Sequence, residues 1–248
     1  MSVRVSDLIA GYDGKAVLAG VNFGALAGER VAVLGPNGGG KTTLFKTLLG
    51  QLEPLAGGFD TGGRCAVVPQ TERSRLDFPV SATDVATMGA ASRLAWWRRP
   101  GRAERARARA ALAQVGLAEH AERTFGDLSG GQRQRVLVAR ALVQDAPVIL
   151  LDEPFSGLDS HSADRLEALL ADLAAEGRVL LTATHDVEQA RRFDQVLCLN
   201  GRQVAYGPPR ATLTLAVLEA TYGAEIVPVD CRDHGAERAI LPIYHHAD

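Results

Sequence analysis

Between Val3 and Ile9 apolar and polar residues alternate, Ala10 to Lys15 breaks the pattern, and Val17 to Phe23 resumes it. A period of two marks strands with one buried face, so the opening reads as an antiparallel pair. The continuous apolar run Val31 Ala32 Val33 Leu34 then predicts a strand buried on both faces, and helix formers follow from Lys41 to about Leu49. Gly50 to Gly63 is rich in Gly, Pro and Leu and reads as loop and hairpin, after which Cys65 to Gln70 reads as a short buried strand ending on a polar residue. From Ser81 the pattern turns helical, with a capping-box variant over Ser81 to Asp84 and an Ala- and Arg-rich helix from Gly101 to Val115. A long helix ending near Gln144, a buried strand over Pro147 to Pro154, a helix from Ser160 to Ala175 and a β-rich run from Arg178 to Thr184 come next. Val196 to Gly207 predicts a hairpin around Asn200-Gly201, and Pro209 to Tyr222 a helix. From about Gly223 the pattern weakens. The expectation is an α/β fold with an all-helical lobe inserted between strands.

Composition narrows this picture in three ways. A chain of 248 residues buries a full core as one large domain or as a domain with an inserted lobe. Apolar residues make up 46% and the net charge is only −2, which argues against disorder and shows no basic excess that would advertise nucleic acid. Cys65, Cys198 and Cys231 lie far apart with no CxxC pair, a pattern of buried thiols rather than disulfides or a zinc site. The chain opens directly on a strand pattern without a charged-then-apolar leader, and no apolar run reaches the roughly 18 residues of a membrane span. The expectation is a soluble, cytoplasmic chain able to dock on a membrane protein.

The most informative stretch is Gly35 Pro36 Asn37 Gly38 Gly39 Gly40 Lys41 Thr42 Thr43, set between a β-branched run and a helix. Glycines without Cβ atoms let backbone N–H groups turn inward around phosphates, and the following helix aims its positive end at the same anion. Lys41 is placed to neutralise β- and γ-phosphates, and Thr42 to offer its hydroxyl to Mg²⁺. This context is that of a phosphate-binding loop and points to a nucleoside triphosphate.

Other positions carry weaker signals. Tyr12, in the first turn, either stacks on a nucleotide base or is an ordinary turn tyrosine. Gln70 ends a strand where open α/β sheets bind ligands, and either reaches the metal or γ-phosphate or is solvated. Trp96 to Arg102 mixes rings with cations and fits a solvated turn, a docking surface or a nucleic-acid patch. Ser129 Gly130 Gly131 precedes a long helix and forms a second anion-ready N-terminus, suited to a phosphate other than the one in the chain's own loop. The strand Val148 to Leu151 ends in Asp152 and Glu153; as neighbours in a strand they face opposite sides, so Asp152 suits the Mg²⁺ shell and Glu153 the attacking water. Asp159 follows in a loop, and His185 closes the next strand as either a γ-phosphate sensor or a helix-cap neighbour. His245 and His246 lack spaced partners for a metal and read as a frayed tail.

Taken together these motifs resemble the ATP-binding subunits of ABC transporters over nearly the whole chain. Gly35 to Thr43 resembles the Walker A motif, Val148 to Glu153 the Walker B motif, and Leu128 to Gln132 the family signature that ordinary P-loop enzymes lack. The resemblance implies a P-loop NTPase (RecA-like) core with an antiparallel β subdomain and an inserted α-helical subdomain. It bounds an ATPase domain over 1–228, the helical part over about 72–145, and a tail over 229–248. It makes Tyr12 the adenine-stacking residue; Gly35, Asn37, Gly38, Gly39, Gly40, Lys41, Thr42, Thr43 and Gln70 the nucleotide contacts; and Thr42, Gln70 and Asp152 the Mg²⁺ ligands. Glu153 becomes the catalytic base and His185 the switch histidine, while Ser129, Gly130, Gly131, Gln132 and Asp159 serve the ATP of a second copy packed head to tail. ATP and Mg²⁺ are the implied cofactors. Membrane permeases, an extracellular solute-binding protein and a place on the inner face of the membrane are also implied. Leu76 to Val85 and Trp97 to Pro100 narrow the resemblance to manganese, zinc and iron importer ATPases. Gly39 departs from the Ser, Ala or Cys of many relatives, a change expected to loosen the loop. A soluble ABC ATPase of DNA repair or translation, or an exporter ATPase, is the rival reading; coiled-coil inserts, zinc hooks and a second ATPase domain are absent from this sequence.

Overall fold

The computed structural model describes residues 2–70, 79–95, 97–223, 226–229 and 239–242. In chain order the elements begin with β1 (Ser2–Tyr12), β2 (Lys15–Leu26), β3 (Arg30–Leu34), α1 (Lys41–Leu48), β4 (Ala56–Asp60) and β5 (Cys65–Val68). The helical stretch holds α2 (Ala82–Thr87), a 3₁₀ segment Met88–Arg93, α3 (Arg102–Gln114) and α4 (Gly130–Gln144). Then come β6 (Val148–Asp152), α5 (Ser160–Ala175), β7 (Val179–Thr184), α6 (Val187–Ala190), β8 (Gln195–Leu199) and β9 (Gln203–Gly207). The last are α7 (Pro209–Thr212), α8 (Leu215–Tyr222), β10 (Ile226–Val229) and β11 (Ala239–Pro242).

The chain divides into two compact units. One comprises Met1–Val3, Leu26–Glu29 and Thr61–Thr182, the other Arg4–Ala25, Arg30–Asp60 and Ala183–Asp248.

In the first unit β5 pairs in parallel with β6, Cys65 opposite Val148 and Val68 opposite Leu151, and β7 lies beside β6. Ile149, Leu150 and Leu151 are buried, as a strand covered on both faces requires. Its core joins Ala66 and Val68 to the helical stretch through Ala82, Ala86, Leu112, Phe125, Val136 and Leu137, and to α5 through Leu166, Leu170 and Leu173. The capping box read from sequence is present: Ser81 Oγ accepts from Asp84 N at 3.1 Å, and Asp84 returns a bond to Ser81 N at 3.1 Å. Helix α2 runs for six residues and then tightens into the 3₁₀ segment. Trp97, Arg98 and Arg99 are exposed, whereas Trp96 and Leu76, Asp77 and Phe78 lie outside the described residues.

In the second unit β2, β1 and β4 form a three-stranded sheet, with β1 and β4 antiparallel. The β1–β2 turn uses Asp13 and Gly14 at φ 51° and 75°, the left-handed pair that a two-residue hairpin needs. The stretch expected to form a hairpin after α1 therefore gives one strand, β4, which pairs back onto β1. Strands β3 and β8 are parallel, Val31 opposite Gln195 and Leu34 opposite Cys198, and β9 runs antiparallel on β8. The loop between β8 and β9 has three residues rather than the two of a simple Asn-Gly turn, closed by Asn200 N to Arg202 O at 2.9 Å. The helix expected over Pro209 to Tyr222 is split, since Thr214 becomes an N-cap accepting from Val217 N. Where the sequence pattern weakens, β10 and β11 pair antiparallel, Ile226 opposite Pro242. Cys231, His245 and His246 lie outside the described residues. Cys198 is buried as expected, and burial pushes its thiol up to about 11; Cys65 is only half-buried, and desolvation raises its thiol as well.

Candidate functional site

The phosphate loop is built in the second unit, where β3 stops at Leu34 and α1 starts at Lys41. A Cβ on Gly35 would lie 2.2 Å from Leu199 O, so only glycine lets the loop leave against the end of β8. Gly38 and Gly40 sit at φ 78° and 100°, and Gly40 caps α1 with no side-chain bond, which leaves the first helical N–H groups to an anion. Lys41 is buried and its Nζ donates back to Gly35 O and, at 3.1 Å, to Pro36 O. Asn37, Gly38 and Thr42 are exposed, while Thr43, in the first turn of α1, is buried. Gly39, expected to loosen the loop, is bonded on both sides: its N–H donates to Pro36 O at 3.0 Å and its C=O accepts from Gly201 N at 3.1 Å. A Cβ there would meet Pro36 and Leu199 O at 3.0 and 3.1 Å.

Tyr12 ends β1 and is 41% exposed, as a stacking platform has to be. Its hydroxyl accepts from Lys46 Nζ at 3.2 Å, and that Nζ lies 5.3 Å from the ring centroid. Partial burial works against ionisation of the phenol, but bonds from Lys46 and Thr43 and the Lys46 charge outweigh it and hold the hydroxyl below its usual range. Lys46 was not singled out from sequence; its place one turn beyond Thr42 on the same helix is the only signal that would have pointed to it. His185 follows β7 directly and is half-buried. The two residues around it are fixed, since Asp186 N donates to Thr184 Oγ1 and Asp186 caps α6 through Gln189 N, both at 3.1 Å.

The acidic edge lies in the first unit. Strand β6 ends on Asp152, and Glu153 is not part of it: its φ of 46° puts a non-glycine residue in the left-handed region. The alternation argument that faced Asp152 and Glu153 oppositely therefore stops at Asp152, and the turn, not the pleat, aims Glu153. Gln70, two residues past β5, reaches it with Nε2 3.5 Å from Glu153 Oε2. Such a strained backbone persists only where surrounding structure enforces it, which is common at functional sites.

The second anion-ready helix is as expected. Ser129 caps α4, its Oγ accepting from Gln132 N at 3.2 Å while Gln132 Oε1 accepts from Ser129 N at 2.9 Å. Gly131 sits so near α5 that a Cβ would be 2.6 Å from both Cβ and Oγ of Ser162. Ser162 in turn is held by Asp159, whose carboxylate takes its N–H at 2.9 Å and its hydroxyl at 2.7 Å, so the two helix starts form one packed pair. Those Ser162 bonds, the hydroxyl first, keep the Asp159 carboxyl below its usual range. Sequence reading missed Ser162; its only signal is the Asp-x-x-Ser spacing of a capped helix start.

The structure thus joins Gly35 with Lys41, Tyr12 with Lys46, Gln70 with Glu153, Ser129 with Gln132, and Gly131 with Ser162 and Asp159. Tyr12, the Gly35–Thr43 loop and His185 belong to the second unit; Gln70, Ser129 to Gln132, Asp152, Glu153 and Asp159 belong to the first. Among the described residues no cluster of three or more His, Cys, Asp or Glu is arranged to hold a metal alone, and no helix is long and apolar enough to cross a membrane.

A family model described as ABC transporter matches residues 18–156. The zinc transport system ATP-binding protein TroB of Treponema pallidum is 40% identical, the alignment covering 91% of this chain and 88% of that protein. The manganese transport system ATP-binding protein MntB of Bacillus subtilis is 37% identical, over 90% and 93% of the two chains. A solved metal-chelate type ABC transporter in an inward-facing conformation superposes with a TM-score of 0.85 at 31% identity, covering 98% of each chain. With a P-loop, a capped signature helix and an Asp-Glu strand end in the family's order, the chain belongs to the ABC transporter family, as an ATP-hydrolysing member with the P-loop NTPase fold.

Proposed function

We propose that this chain is the motor subunit of a metal importer, turning ATP binding and hydrolysis into closing and opening of a pair of its copies. The observation that carries the reading is that one chain builds two helix N-termini suited to anions, behind Gly40 and behind Ser129. Only one of them follows a phosphate-binding loop with a lysine. In a head-to-tail dimer each ATP lies between one copy's Gly35–Thr43 loop and the partner's Ser129 to Gln132, with Asp159 beside it. The domain bounds proposed are 1–228 for the ATPase, with 72–145 as the helical part that meets a permease, and 229–248 as tail.

Within a site, Tyr12 stacks on adenine, the loop N–H groups and Lys41 hold the phosphates, and Glu153 takes the proton of the attacking water. The carboxylate is already oriented by its left-handed backbone and by Gln70. His185 bonds the γ-phosphate and registers its departure. The residues fit Mg²⁺: with no three-carboxylate cage among the described residues, Thr42, Gln70 and Asp152 suit an ion brought in on phosphate oxygens, as this metal prefers. When bound, Mg²⁺ neutralises charge on the β- and γ-phosphates. Because ATP favours the closed pair, its hydrolysis removes that bias, and permeases follow the motion.

Metal as the cargo class rests on the zinc and manganese systems of the relatives, and the partners are membrane permeases fed by an extracellular binding protein, which puts the chain on the inner membrane face. The test is co-purification from native membranes with the Glu153→Gln chain and ATP as bait. Recovery of a permease whose loss abolishes zinc or manganese uptake supports the reading. Recovery of ribosomes, DNA-repair proteins or the dimer alone overturns it in favour of a soluble ABC ATPase.

A further inference from the structure

Tyr12 and Lys46 come from elements separated by the whole phosphate loop, yet the lysine crosses to the tyrosine rather than to solvent. Its Nζ is 3.2 Å from the hydroxyl and 5.3 Å from the ring centroid, which puts the ammonium beyond the hydroxyl end of the ring, not above its centre. A cation above the centre would occupy a face that a base needs. A cation at the hydroxyl edge fixes the ring and leaves the faces open. We propose that Lys46 is a positioning residue for the nucleotide base: it grips the Tyr12 hydroxyl and holds the ring as a platform, so that base and phosphates are both registered on α1. This rests on the stacking role proposed for Tyr12.

Two observations support it. Lys46 lies on the helix whose start carries Lys41 and Thr42, so the ring is tied to the element that binds the phosphates. Tyr12 is 41% exposed, so without the Lys46 bond its ring would be free to choose other rotamers and stacking would cost the entropy of fixing it. The bland account is that Lys46, in the last turn of α1, complements the helix dipole. That explains a cation there but not its direction, and it predicts an effect on stability and none on nucleotide affinity.

The test compares ATP hydrolysis by the full chain carrying Lys46→Met, Lys46→Arg, Tyr12→Phe, Tyr12→Ala, and Tyr12→Phe with Lys46→Met. Loss of stacking in Tyr12→Ala should raise KM for ATP about tenfold. Lys46→Met should raise KM about three- to fivefold with kcat kept, Lys46→Arg should restore it, and the double variant should be no worse than the worse single one. Ultraviolet titration of the phenol, taken as the difference from Tyr12→Phe, should move to higher pH in Lys46→Met. If Tyr12→Ala leaves KM unchanged, the stacking role itself falls. If Tyr12→Ala raises KM while Lys46→Met does not, or lowers only the melting temperature, stacking stands and the role given to Lys46 is overturned.

Discussion

Replacing Gly131 by alanine should strain the meeting point of α4 and α5 by an amount that the structure sets. The new Cβ would lie 2.6 Å from Cβ and Oγ of Ser162, against the roughly 3.5–4.0 Å of a relaxed carbon contact, so about 1 Å has to be recovered. Ser162 cannot simply swing aside, because its hydroxyl and N–H are both bonded to Asp159 at 2.7 and 2.9 Å. Rotation sacrifices a hydrogen bond worth about 1 kcal/mol, and shifting a helix costs about 1–3 kcal/mol as overpacking. The expected loss is therefore about 1–3 kcal/mol, read by urea unfolding with an unchanged m-value, or about 2–4 °C of Tm per kcal/mol at this chain length. Ser162→Gly should remove the obstruction, so in that background Gly131→Ala should cost at least about 1 kcal/mol less. The same cycle should appear in turnover, since the displaced segment carries Ser129 and Gln132. A Gly131→Ala chain within about 0.5 kcal/mol of the parent, or one equally destabilised with and without Ser162, would refute the packing argument.

Three further outcomes follow from the site. Glu153→Gln should keep ATP binding and trap a dimer while nearly abolishing turnover; unchanged hydrolysis would remove Glu153 from the role of base. Glu153→Gly should be equally inactive yet about 1 kcal/mol more stable, because the left-handed backbone at φ 46° then carries no side-chain penalty; calorimetry giving a lower Tm would contradict the strain. Ser129→Arg should stop turnover but leave single-chain ATP binding intact, and full activity would argue against a site shared between copies. Asp84 supplies a pH dependence: the Ser81 hydroxyl first, then the Ser81 N–H and Arg105, outweigh its burial and hold the folded carboxyl below its ordinary value. Its contribution is thus present above the unfolded value of about 3.9 and lost as pH falls through the folded one, so Asp84→Asn should flatten the acid limb of stability; an unaltered limb would discount it.

Much of this was legible in the residues. Periodicity placed β3, α5 and β7 to within a residue, because each has a single buried pattern and a clear stop. The capping box at Ser81 was visible because its partner Asp84 lies three positions away, and the helix start at Ser129 was read from its glycines, although its own box with Gln132 was not. What escaped the sequence was set by distant neighbours. No residue type announces a left-handed glutamate, so the turn at Glu153 was read as strand. Gly131 looked like a phosphate-facing glycine, when its lack of a side chain also admits Ser162. Lys46 was not singled out, because nothing in the sequence shows that β1 brings Tyr12 to it. The break at Thr214 was hidden because helix formers stand on both sides of it.

The loop that holds phosphate is also an assembly problem in time. Gly35 rests on Leu199 O, and Gly39 accepts from Gly201 N, so the loop's seat is supplied from the far end of the chain. A ribosome adding about 5–20 residues per second needs roughly 8–30 s to make the intervening stretch of about 160 residues. During that interval the glycine-rich segment has emerged without its support. If the loop needs this seat, ATP binds only once β8 is in place, so a truncation before Leu199 should yield a chain that neither binds nucleotide nor is rescued by it.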